Sequence, residues 1–221
     1  MPDYVPLAFG FEALFPPMGL NAAQLRALYI RLAEPCRFTE YKQLGEGQGA
    51  RVAEGANRHL TVTHDRLVYR DDYTQAMFST FGEDARRILR ELRDVFQIPV
   101  LLHCKVLVRL LMPHAGAETT FEYFQQHLLS SASSKLSCFG RAASGVGLRL
   151  VFPPTNENRS TFHLRIEPYF RDNKMFFLEN SSQFFDPLVN FDDVQNYLDA
   201  TYDFLKEKGG PFVLDLGNPA V

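Results

Sequence analysis

Two short corners constrain this chain more than any other feature. Phe15-Pro16-Pro17-Met18-Gly19 and Met112-Pro113-His114-Ala115-Gly116 share one form: an apolar residue, a proline, two residues, a glycine. Each follows an apolar run and precedes a segment of helical periodicity. Proline cannot continue a strand ladder, so it ends each run. Residues 13–32 and 110–129 align without gaps, and proline, glycine and leucine coincide among the aligned positions.

The flanking pattern extends the repeat. Residues 4–15 alternate Leu7, Phe9 and Phe11 with Ala8, Gly10 and Glu12, which predicts a strand. Asn21 is placed to cap a helix carrying Leu25, Leu28, Tyr29 and Leu32, and Pro35 closes it. Residues 59–70 predict two strands around His64-Asp65-Arg66, and 74–79 a further one. Glu83 to Phe96 predict an amphipathic helix. The series then restarts. Residues 101–112 predict a strand with Leu102, Cys104, Val106, Val108, Leu110 and Met112 on one face. A helix over 118–130 and a serine-rich stretch over 130–137 follow. Strands are predicted over 146–152, 160–170 and 174–180, the last two joined at Asp172-Asn173. A final helix runs from Asn190 or Asp192 to Lys208, where Gly209-Gly210-Pro211 should end it.

Strand, helix, several strands, helix, twice over, predicts an internal duplication. The expected fold is α+β: two strand-helix-strands-helix repeats forming one continuous, curved antiparallel sheet with helices on one face. Residues 1–99 are the first repeat, 100–209 the second and 210–221 a C-terminal tail, within one pseudo-two-fold domain. A single α+β domain whose elements merely alternate is the competing reading.

Composition bounds the function classes. With 46% hydrophobic residues, 20 Phe and 9 Tyr, the chain can build an aromatic core, which excludes a disordered or fibrous protein. A net charge of −3 argues against a nucleic-acid partner, which would favour a basic surplus. Cys36, Cys104 and Cys138 are odd in number and far apart, so neither a disulfide framework nor a cysteine-rich zinc site is expected. The start "MPDYVPLAFG" lacks the basic segment of a signal peptide. The most apolar run, 100–112, carries His103, Lys105 and Arg109 and is too short to span a bilayer. A soluble cytoplasmic protein with no membrane partner is expected.

Three stretches, "PLAFGFEALF", "FGEDARRILRELRDVFQIPV" and "NFDDVQNYLDATYDFLKEKGGPF", together under half of the chain, resemble a sporadically distributed family of uncharacterised bacterial proteins. The element order is similar to the duplicated saddle of the TATA-box-binding-protein-like architecture. Neither resemblance carries catalytic residues onto this sequence, and likeness of fold alone licenses no function.

Candidate chemistry comes from strand parity. If the apolar side of each second-half strand faces the core, His103, Lys105 and Arg109 share the other face with Arg149, His163, Arg165 and Glu167. Ion pairs across strands would explain these charges, and a clamp for a carboxylate or phosphate is the sharper alternative. His103 and Cys104 point to opposite sides of a strand and cannot form a dyad. The helix bearing Arg86, Arg90 and Arg93 also carries acids and reads as solvated. No two histidines sit one helical turn apart, so no metal and no cofactor is expected. The glycine-rich segment 40–58, with its core at 45–55, lacks the ending of a phosphate loop and reads as a mobile hairpin connection. In the tail, Phe212, Leu214 and Leu216 alternate with Val213 and Asp215, as in a strand that could pair with a sheet edge or a partner. The leading expectation is a non-enzymatic binding or assembly module acting through protein–protein contacts or self-association. The alternatives are a small-molecule binding protein or enzyme taking an anionic ligand, and a nucleic-acid-binding saddle.

Overall fold

The computed structural model describes residues 3–45, 47–130 and 133–217. The first half runs β1 (Val5–Leu14), α1 (Ala22–Ala33), β2 (Glu40–Gly45), β3 (Gly49–Glu54), β4 (Arg58–Val62), β5 (Arg66–Asp72) and α2 (Phe78–Phe96). The second runs β6 (His103–Pro113), α3 (Thr120–Leu128), β7 (Leu148–Phe152), β8 (Ser160–Pro168), β9 (Met175–Phe184), α4 (Val194–Asp203) and α5 (Gly210–Asp215). The strands form one antiparallel sheet of nine, in the order β2-β3-β4-β5-β1-β6-β9-β8-β7. The architecture is α+β, as expected. No helix among the described residues is long and apolar enough to cross a membrane.

Strand parity sets the core. Phe9, Phe11 and Ala13 of β1 stand opposite Val108, Val106 and Cys104 of β6 and are buried with them. Leu60 and Val62 of β4, Leu67 and Tyr69 of β5, and Phe176 and Leu178 of β9 continue the same face. Helices α1, α2, α3 and α4 pack on the strands and on one another, and one continuous apolar cluster results. Asn21 accepts a hydrogen bond from the Ala23 N–H at 2.7 Å, as its capping position requires. The corner at 112–116 is tied down by Lys174, whose ammonium donates to the carbonyls of Gly116, Ala117 and Glu118 at 3.1, 2.6 and 2.8 Å.

Arg58 is a charge inside the first half, only 6% exposed. It donates to the Tyr69 hydroxyl from two nitrogens at 3.0 and 2.9 Å, to the Cys36 carbonyl at 2.8 Å and to Glu54 at 2.7 Å. It also pairs with Asp84 of α2. Burial opposes the guanidinium charge, but Tyr69, Glu54 and Asp84 outweigh it and hold Arg58 above the ordinary arginine value. One side chain thereby links β4, β5, α2 and the turn after α1.

Several expectations are corrected. The glycine-rich segment 40–58 is ordered as β2, β3 and the start of β4, although Glu46 lies outside the described residues. Its glycines serve turns: Gly47 and Gly55 take φ of 70° and 63°, and a Cβ on Gly49 would sit 1.9 Å from the Val62 carbonyl oxygen. The strand expected over 74–79 is a connection into α2, which starts at Phe78 because Phe78 and Phe81 pack on Phe9. Leu102 precedes β6 and is exposed rather than sharing its buried face. Ser131 and Ala132 of the serine-rich stretch lie outside the described residues.

The largest correction concerns the C-terminal segment. Gly209-Gly210 does not end the last helix. From α4 the chain passes through a wider π-type turn, Phe204–Gly209, directly into α5. Both glycines have ordinary helical φ, so close approach is what they supply. A Cβ on Gly210 would lie 1.9 Å from the Tyr4 hydroxyl oxygen, and one on Gly209 would lie 3.2 Å from Leu164. Tyr4 donates at 3.0 Å to the Lys206 carbonyl, inside the π-type turn, where a backbone carbonyl can lose its helical partner. The expected tail strand is therefore a helix: Val213 is fully buried, while Phe212 and Leu214 are 40% and 41% exposed. Leu216 packs beside the core. Tyr123 of α3 donates to the Val213 carbonyl at 2.7 Å and accepts from the Gly217 N–H at 3.0 Å, which fixes this segment. Residues 218–221 lie outside the described residues.

Two substitutions test these locks by thermal or urea denaturation. Arg58→Met leaves Asp84 buried beside an apolar side chain and should cost about 3–5 kcal/mol, much of it recovered when Asp84→Leu is added. Gly210→Ala should cost about 1–3 kcal/mol through overpacking against Tyr4. Combined with Tyr4→Phe, it should cost less than the two single losses together.

Candidate functional groove

The face opposite the helices carries the charges. One register row runs across the sheet as Asp72, Ala8, Arg109, Glu179, Arg165 and Arg149, each on a neighbouring strand. Along β9 the outward residues Phe177, Glu179, Ser181 and Gln183 form a floor, because Phe176, Leu178, Asn180, Ser182 and Phe184 are buried in the core. β6 places Arg109 beside Glu179 and Lys105 beside Gln183. β8 places Glu167 beside Phe177, Arg165 beside Glu179 and His163 beside Ser181. β7 adds Arg149 opposite Arg165.

Two adjoining pockets, about 510 and 640 Å³, occupy this face and share Arg165 and Glu167. The smaller includes four aromatic side chains, Tyr73, Tyr169, Phe170 and Phe177, beside Arg109 and Arg171. The larger is polar and holds Lys105, Arg149 and His163. Six of the seven residues expected from strand parity thus line one continuous groove. His103 does not, because it starts β6 at the far end of the strand, with its ring 5.2 Å from Phe185.

Part of the charge is internally paired. Arg109 meets Glu179 at 2.6 Å, and Arg165 grips Glu167 with two nitrogens at 3.0 and 2.7 Å. The Arg165 guanidinium also lies over the Phe177 ring at 5.5 Å. Arg171 is stacked between Phe170 and Tyr73, at 5.3 and 5.6 Å. Lys105, Arg149 and Arg171 form no ion pair among the described residues. In the polar pocket three cations, Lys105, Arg149 and Arg165, face two carboxylates, Glu167 and Glu179, and Arg109 adjoins them through Glu179, so this end of the groove is electropositive. Planar guanidiniums held on aromatic rings present their N–H groups in a fixed plane suited to carboxylate or phosphate.

Sequence reasoning missed the floor and the aromatic end. Glu179, Ser181 and Gln183 are set by the pairing of β9 with both β6 and β8, and Tyr73 and Phe170 are brought together across the sheet by Arg171. The only local signal is the alternation of β9, which Asn180 and Ser182 blur by being polar and buried. No group of three or more His, Cys, Asp or Glu side chains placed to hold a metal occurs among the described residues. No family model matches the chain, and no curated protein matches it.

The groove face also holds two histidines that resist protonation. Burial lowers the pKa of His103, aided by Lys105 and opposed by Glu12. Burial and then Arg51 lower that of His59. Above the unfolded value near 6.5 both states are neutral, so these groups add no pH dependence there. As pH falls below about 6.5, the unfolded chain takes up protons that the folded chain refuses, and stability drops. Melting temperature should fall between pH 7.5 and 5.5, and the fall should shrink in a His59→Gln/His103→Gln variant.

Proposed function

We propose that the chain is a binding protein built from two fused repeats, 1–99 and 100–209 with the segment 210–221 attached, and that it receives an anionic protein partner on the open sheet face of the second repeat. The duplication is supported by strand order. Outward from the central β1–β6 pair, one side reads β5, β4, β3 and the other β9, β8, β7, with β2 as an addition to the first side. A short connection leads from the first strand of each half into a helix, residues 15–21 from β1 to α1 and 114–119 from β6 to α3, which supports the same reading.

The observation that carries the function is the convergence of Lys105, Arg109, Arg149, His163 and Arg165 on one groove, with Lys105 and Arg149 unpaired among the described residues. Binding is favoured over turnover because the remaining charges are committed to one another as Arg109–Glu179 and Arg165–Glu167. Free thiols at Cys36, Cys104 and Cys138 accord with a reducing compartment such as the cytoplasm.

The test is calorimetric titration with a blocked ten-residue polyglutamate peptide at low salt. Binding is expected and should weaken as salt is raised. A Lys105→Glu/Arg149→Glu variant should lose at least tenfold in affinity while melting as the parent does. Undetectable binding by the parent, or unchanged affinity in the variant, would overturn the proposal.

A further inference from the structure

We infer that the partner offers an extended acidic segment bearing one bulky apolar side chain, which lies along β9 with that side chain in the aromatic pocket at Phe177. This rests on the proposed anion-binding role of the groove and adds the shape and chemistry of what it takes.

The length of the groove argues for a chain segment. Its floor runs from Phe177 to Gln183 along one strand, seven residues or about 20 Å. An extended peptide of six or seven residues spans the same distance. The groove is open along its side, so it would leave a compact small molecule half wetted, whereas a segment needs only one face covered.

The chemistry changes from one end to the other. At the Phe177 end the walls are Tyr169, Phe170, Tyr73 and Pro168. Phe170 is 85% exposed, a cost in water that an apolar guest would relieve. Arg165 and Arg171 have their ring stacks there; Glu167 holds the Nε and Nη2 edge of Arg165, whereas the N–H edge of Arg171 forms no ion pair among the described residues. One register step along, Arg109 and Arg165 flank Glu179. Two further steps along stands Lys105, and Arg149 widens the cationic side toward β7. An apolar side chain followed by acidic ones within about six residues matches this order.

Four blocked probes separate the possibilities in one titration series: a hexapeptide of glutamate alone, the same peptide with phenylalanine replacing the first or the last residue, and 3-phenylpropionate. One phenylalanine hexapeptide should bind about tenfold more tightly than the all-glutamate probe, as expected for burying one aromatic side chain. Phe177→Ser should bring it down to the all-glutamate level. Phe170→Ser, at an exposed position where folding is not at stake, should narrow the same gap. Equal affinity of all three peptides would overturn the inference while leaving the anionic groove in place. So would 3-phenylpropionate binding as tightly as the best peptide, which would mark a small-molecule pocket, or a phenylalanine preference that survives both serine variants. Failure of every probe would remove the groove's anion-binding role and the inference with it.

Discussion

The antiparallel ladder between β1 and β6 is the seam on which this fold depends. It joins two groups of strands that would otherwise each leave a long edge unpaired. It also sets a single parity for the sheet. A slip of one residue between them would turn Phe9 and Phe11, or else Val106 and Val108, to solvent, so the register is enforced by the core. The groove inherits that enforcement. With Phe176 and Leu178 facing inward, Phe177 and Glu179 have no choice but to face out.

The two halves are sealed by different physics. In the first, a buried arginine satisfies a tyrosine, two carboxylates and a backbone carbonyl, and Tyr69 stacks flat on Phe81 at 4.8 Å. Such a network constrains geometry more than it adds stability, because desolvation offsets much of the Coulombic gain. In the second half, aromatic stacks dominate: Phe162 on Phe204 at 4.5 Å and Phe184 on Tyr197 at 4.1 Å. Phe78 of α2 stacks on Tyr202 of α4 at 4.2 Å and makes the helical layer continuous across the seam.

The legible part of this structure was the part governed by local period. The alternation in β1, β6 and β8 gave both the strands and the face on which Lys105, Arg109, His163 and Arg165 would stand. The tail misled for the same reason: Phe212, Leu214 and Leu216 alternate over too few residues to separate a strand from a short helix whose single buried anchor is Val213. Gly209 and Gly210 read as a stop because glycine ends helices by conformation, whereas here each admits a neighbouring side chain, Leu164 or Tyr4. The groove's carboxylate Glu179 and aromatic wall Phe170 were hidden because strands distant in the chain bring them to the cations.

The three thiols have unequal access to solvent. Cys36 and Cys104 are buried, and burial pushes both up to about 12, so neither offers an appreciable thiolate while the fold is closed. Cys36 lies beside the Arg58 network, and Cys104 sits at the seam between β1 and β6. Cys138 stands exposed in the short 3₁₀ stretch Ser133–Phe139. An alkylating reagent added to the native protein therefore finds one sulfur at once and two only when the molecule opens. The chain carries its own clock for breathing motions, with one silent position in each half.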